Sequence, residues 1–298
     1  MHSPRTLVLA ALLAFFALSS PPAPAGAATP GPAAGSEADA AESSEAAAPA
    51  EQAVAEELPD ARALLARFRE LGGYAKLKAT KNQHVVGSFS LPAQGLEATM
   101  EAWVAAPNLS RVVIELPGMG TTQEGFDGTH GWSLDPIQGP VLKTGAVLEE
   151  AAFKAEYYAL NDDTRYVEAE TVERTEFAGR SAWKVRLKPR VGSDMFVYFD
   201  AETGFEIGEE ETVSTAMGDI PLVITNHDYA EFHGMQFPTR VEQKMMGMTQ
   251  IIRLESIEFD VGEPPDFTPP KEVLELLEDA ASESEPTEAD APESDASE

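Results

Sequence analysis

From Leu96 to Ala105 the chain alternates: Leu96, Ala98, Met100, Ala102 and Val104 stand on one side, Glu97, Thr99, Glu101, Trp103 and Ala105 on the other. A period of two belongs to a strand with one buried face, and a helix cannot satisfy it. The second set is mixed, since Trp103 and Ala105 sit among polar residues. After Pro107-Asn108 a further alternation runs through Val112, Ile114 and Leu116, and Asp127-Gly128 between Phe126 and Trp132 is a tight-hairpin signal. The stretch predicts a curved antiparallel sheet.

The rest of the chain extends that sheet. A first strand is expected over His84 to Leu91 with Val85, Phe89 and Leu91 inward, and from Thr164 onward a long meander begins. Its clearest strand sets Ser181, Trp183, Val185 and Leu187 against Ala182, Lys184, Arg186 and Lys188. Further strands are expected over Met195 to Phe199 and near Phe205 to Ala216, Ile220 to Tyr229, Phe237 to Met246 and Thr249 to Phe259. Asp60 can cap a helix whose Ala61, Leu64, Leu65, Phe68 and Leu71 share a face, with Gly72-Gly73 ending it and a short turn over Tyr74 to Ala79. A second helical pattern runs from Thr144 to Leu160, with a small-residue seam on one side and Phe153, Tyr157 and Leu160 on another. The fold class is therefore α+β, mainly antiparallel β, with about ten strands in one domain. A sheet this long must curl, and either closes or leaves a concave face for helices to cover.

The two ends differ from this middle. Met1 to Ala27 has the parts of a secretory signal: Arg5, the apolar run Leu7 to Leu18, and Ala25-Gly26-Ala27 before a cut. The run is about a dozen residues, short of the roughly 20 that span a bilayer, so the expected product is soluble and exported to the periplasm. Residues 28–59 carry seven acids and no base and are expected to be a disordered Ala/Glu/Pro linker. The domain is expected over residues 60–270. Residues 271–298 read as an acidic disordered tail with a short helix at Lys271 to Ala281, where Val273, Leu274 and Leu277 can dock on the sheet. The formal net charge is −30. Without stripes of Lys and Arg to neutralise phosphates, nucleic acid is not an expected partner.

Chemistry-bearing motifs are sparse. The chain has no cysteine, so disulfides, thiolate metal sites, cysteine nucleophiles and a lipid-modified cysteine are all excluded. His2, His84, His130, His227 and His233 show no metal-ligand spacing, and no cofactor or metal is expected. Gly118 and Gly120 lack the Lys-Ser or Lys-Thr of a phosphate loop and read as turn residues, and no Gly-x-Ser-x-Gly elbow occurs. The acidic run Glu206, Glu209, Glu210 and Glu211 reads as a solvated or edge-protecting face. Met245, Met246 and Met248 read as core packing or an adaptable cavity wall. No catalytic residues are expected, and the chain is read as a non-enzyme.

Trp103-Val104-x-x-Pro107-Asn108-Leu109, then Asp127-Gly128-Thr129 with Trp132 and Asp135-Pro136, resembles the periplasmic lipoprotein-sorting carriers, the LolA-like proteins. Asp266-Phe267-Thr268-Pro269-Pro270 is similar to that family's closing segment. The resemblance implies an unclosed barrel, or half-barrel, with a helical lid over an apolar hollow that receives lipoprotein acyl chains. It implies as partners a lipid or lipoprotein and membrane-associated donor and acceptor proteins, in outer-membrane biogenesis. The same half-barrel also serves in periplasmic sensors and scaffolds that meet a partner protein, and that alternative stays open. In the carriers a Lys-Arg pair precedes the Pro-Asn, and its arginine is taken to latch the lid through backbone groups. Here Ala105-Ala106 stands in its place.

Inward aliphatic side chains are the candidate ligand-binding wall: Val85, Phe89, Met100, Val104, Ile114 and Leu116 from the first half, Val185, Leu187, Leu222 and Ile224 from the second. Phe153 and Tyr157 are the candidate lid contacts. For each of the twelve the alternative role is ordinary core packing.

Overall fold

The computed structural model describes residues 57 to 284 except Asp163, Ala216 and Met217. The expected signal segment, nearly all of the linker and the last part of the tail lie outside the described residues. Asp60 accepts a hydrogen bond from the Ala63 N–H (2.8 Å) and starts α1 (Ala61–Leu71), whose Ala61, Leu64, Leu65 and Phe68 are buried. Leu71, expected on the same face, is exposed. A 3-10 helix follows at Tyr74–Ala79.

Among the described residues thirteen strands are present, against about ten expected. They are β1 (Asn82–Leu91), β2 (Leu96–Ala105), β3 (Leu109–Leu116), β4 (Gly120–Phe126), β5 (Gly131–Asp135), β6 (Gly139–Leu142), β7 (Tyr166–Phe177), β8 (Arg180–Pro189), β9 (Met195–Asp200), β10 (Glu206–Thr215), β11 (Gly218–Phe232), β12 (Met235–Met245) and β13 (Met248–Phe259). Between β6 and β7 lies α2 (Gly145–Lys154), and α3 (Lys271–Ser284) closes the described chain. β5 completes the hairpin signalled at Asp127-Gly128, and β7, where charged residues fall on both faces and Val167 and Val172 are exposed, opens the meander expected from Thr164; β6, short and begun by a glycine, matches no expected strand.

In space the strands run β6-β5-β4-β3-β2-β1-β13-β12-β11-β10-β9-β8-β7, every pair antiparallel. Two meanders, β1 to β6 and β7 to β13, thus meet at the central β1–β13 pair, and β6 and β7 remain separate edges. Buried side chains from both meanders belong to one continuous cluster that includes Val85, Met100, Val112, Val185, Val197, Ile224 and Ile252. The sheet therefore curls around a shared inner face as an open half-barrel. Burial of such side chains contributes about 1.5–3 kcal/mol each and is the main source of stability.

The outer face of the first meander has its own cover. Arg111 stands opposite Gly125, and Gly125 opposite Trp132, so the three share one face. The Arg111 guanidinium donates to the Asp266 carbonyl (3.3 Å), which lays the segment after β13 across this face, and α3 packs on β5 and β6 with Val273 buried. Trp132, fully buried, belongs to this outer layer and not to the inner core. Its ring crowds Gly125, where an added Cβ would lie 2.6 Å from it. The Asp266-Phe267 motif thus belongs to this layer, with Phe267 buried. Asp127 caps its own turn, accepting from the Thr129 and His130 N–H groups.

Candidate functional site

All ten candidate wall residues point to the inner face and belong to the continuous cluster, none more than 8% exposed. Their placement follows from alternation along β1, β2, β3, β8 and β11. They come together, and they are closely covered by other side chains: a wall facing space wide enough for water would keep accessible surface. Met245 joins them, whereas Met246 is exposed in the β12–β13 turn.

Two helices cover this face. Phe68 of α1 sits 5.4 Å from the Tyr74 ring and 5.8 Å from the Phe199 ring. The Tyr74 hydroxyl donates to the Gln236 carbonyl, and burial, reinforced by the Glu206 charge, raises its pKa well above the usual tyrosine value. The Arg62 guanidinium donates to the Tyr166 carbonyl (2.8 Å), pinning α1 to the start of β7.

The second helix is shorter than expected. It stops at Lys154, because the Tyr157 N–H turns away to the Pro107 carbonyl (2.9 Å) and the hydroxyls of Tyr157 and Tyr158 bond to the Thr80 hydroxyl (2.7 Å) and carbonyl (2.9 Å). Burial pushes the Tyr157 phenol up to about 12, against hydrogen bonds from Thr80 and Gln83 that lower it. Phe153 is buried outside the continuous cluster, with the Arg165 guanidinium 3.6 Å over its ring. Arg165 also donates to the Phe153 carbonyl (3.0 Å) and pairs with Glu156 (2.7 Å). The Lys-Arg pair is absent beside Pro107, yet guanidinium-to-carbonyl bonds join cover and sheet from other positions: Arg62 of α1 donates to Tyr166 of β7, and Arg165, just before β7, donates to Phe153 of α2. The missing signal was register in space: neither arginine lies near the motif in sequence.

The acidic run is not a solvated face. β10 lies inside the second meander, and its register shifts between Glu206 and Gly208, where an added Cβ would lie 2.2 Å from the Ile224 carbonyl oxygen. This bulge turns both Glu206 and Glu209 inward, opposite Phe199 and Val197, and both are buried. The Asn226 amide donates to Glu206 (3.0 Å). Glu211 follows Glu209 on the inner face and meets the Lys154 ammonium of α2 at 3.8 Å, and Lys154 also bonds Glu150 (2.9 Å). Glu210, on the outer face, faces Lys184. Beneath α2, Lys143 and Glu124 form a buried ion pair.

Among the described residues no group of three or more His, Asp or Glu is placed to hold a metal ion. His84 stacks on Trp103 (4.1 Å), and both side chains bond Glu101 on the outer face. A groove of about 590 Å³ opens at the β3–β4 turn beside Thr99, Glu115 and Pro117, and the inner-face residues Ala98 and Leu116 also line it, so the candidate wall reaches open space at this end.

No family model and no curated protein matches the chain. Among solved structures it is similar to a LolA superfamily protein of Nitrosomonas europaea, 13% identical over 70% of this chain and 97% of that one, with a TM-score of 0.45. It is also similar to an outer membrane lipoprotein-sorting protein domain of Vibrio parahaemolyticus, 13% identical over 67% and 97%, TM-score 0.42. A DUF1329 family protein of Desulfovibrio piger is 10% identical over 68% and 95%, TM-score 0.46. The names of the first two are those of the family that the motifs around Trp103 and Asp127 resemble.

Proposed function

We propose that this chain is an exported carrier that holds the acyl chains of a lipoprotein, or another lipid, against the inner face of its half-barrel and moves them through the aqueous periplasm. The observation that carries this reading is a continuous apolar face under a helix, α2, whose only buried side chain among its described residues is Phe153. Such a cover can be lifted at modest cost, while each methylene then sheltered contributes about 0.8 kcal/mol. Cargo shifts the helix outward only by its differential affinity for the opened form.

A second reading has its own support. The ten wall side chains are no more than 8% exposed, as expected of a sensor or scaffold module that meets a partner protein and keeps its interior closed. Solvent extraction of the purified protein, with mass spectrometry of the extract, separates the two. Stoichiometric lipid supports the carrier. A lipid-free protein that also fails to take up a fluorescent fatty acid supports the module.

A further inference from the structure

Beneath α2 the Glu124–Lys143 ion pair is buried on the sheet side of the interface. Its side chains are 11% and 5% exposed. Among the described residues Glu124 is the only side-chain partner of the Lys143 ammonium, which has three donors to satisfy. A buried pair repays its desolvation only when its remaining groups are also bonded, and apolar residues of similar volume often serve stability as well or better.

The surroundings fit a ligand's polar end. A cavity of about 20 Å³ adjoins the pair, walled by Val112 and Phe126 from the sheet and by Ala151, Lys154 and Ala155 from the cover. The alanines are small, so a lift of the helix enlarges the space at the cost of little apolar burial besides that of Phe153 and Ala155. Val112 belongs to the continuous cluster and stands opposite Glu124, so the charges lie at the border of the apolar wall. An amphiphile bound here would place its tail along Val112 and Ile114 and its head at the pair.

Charge selects the kind of head. Lys143 and Lys154 face Glu124, Glu150 and Glu211, an excess of one negative charge. A purely anionic head meets that excess, while opening the buried pair uncovers one carboxylate and one ammonium together, and a head that carries both charges answers each. We propose, on the basis of the carrier reading above, that the Glu124–Lys143 pair recognises a zwitterionic lipid head: Glu124 accepts from its ammonium, and Lys143, with Lys154 as a second donor, binds its phosphate.

The test uses the full chain and three single-tailed probes of equal tail length below their micelle concentrations: lysophosphatidylethanolamine, lysophosphatidylglycerol and monoacylglycerol. Calorimetric titration is expected to show the ethanolamine lipid binding about 10-fold or more tightly than either other probe. In Glu124→Leu/Lys143→Met the melting temperature is expected to hold or rise while that preference shrinks below about 2-fold, with monoacylglycerol affinity unchanged. Glu124→Gln/Lys143→Gln provides a second, polar variant with the same expected loss of preference should the first not fold. Equal binding of all three probes by the unaltered protein overturns the assignment and leaves the carrier reading standing, as does a preference that survives in a folded variant. Failure of all three to bind overturns the carrier reading, and this assignment with it.

Discussion

The two covers of the inner face are built from different forces. α1 inserts four apolar side chains into the continuous cluster, is capped by Asp60, and has Phe68 enclosed by the rings of Tyr74 and Phe199. α2 buries Phe153, sets Leu148 and Ala151 over Gly131, and is tied to its surroundings by charges: Lys154 to Glu211 of β10 and, just past its end, Glu156 to Arg165. Apolar packing is lost all at once and stabilises the whole domain, whereas ion pairs weaken with salt and can be exchanged for other polar contacts. On the carrier reading proposed above, the difference makes α1 part of the fixed body and α2 the cover that moves.

Phe68→Ala gives the largest expected effect, a loss of about 3–5 kcal/mol in urea unfolding, because a cavity would open in the core under α1. A loss below about 1 kcal/mol would place α1 outside the core and erase the contrast. Arg165→Ala is expected to cost about 2–3 kcal/mol, since it removes charge-assisted bonds to Glu156 and to the Phe153 carbonyl. Its proteolytic cuts should fall around residues 145–161 and spare α1.

Smaller effects sharpen the same contrast. Glu211→Gln is expected to change global stability by less than about 1 kcal/mol, because it removes one long ion pair. It should nonetheless speed hydrogen exchange at the amides of α2, with those of α1 unchanged. Acid should act in the same order. Burial raises the Asp162 pKa, but bonds from the Thr164 hydroxyl and N–H and the charges of Arg190 and Arg165 outweigh it and hold the carboxyl below 3.8. A group depressed on folding contributes stability above its unfolded pKa and loses it as pH falls through the folded value. Exchange around Asp162 and α2 should therefore rise below about pH 4, the unfolded aspartate range, before that of α1.

Much of this was readable in the sequence, and the failures have specific causes. The cap and apolar stripe placed α1, and alternation placed the inner wall, since one buried face imposes a period of two. β7 is legible only as the start of a meander, without bounds or faces, because an edge strand with charges on both faces has no such period. The acidic run was misread because Gly208 inserts a residue and reverses which glutamates point inward. The end of α2 was misplaced because a backbone bond to Pro107, far off in the chain, overrides helix propensity. Glu124, Lys143 and Arg165 carried no local pattern, since the first two meet only once β4, β5 and β6 are paired and Arg165 meets its partners only once α2 lies across the sheet.

The chain has no cysteine of its own, so a pair placed at will reports cleanly. Lys154→Cys with Glu211→Cys, joined by a short bismaleimide, would tie α2 to β10. A fluorescent fatty acid should bind the unlinked double variant and be refused by the linked one, whose fold is unchanged by circular dichroism. Equal uptake by the linked protein would contradict a lid at α2.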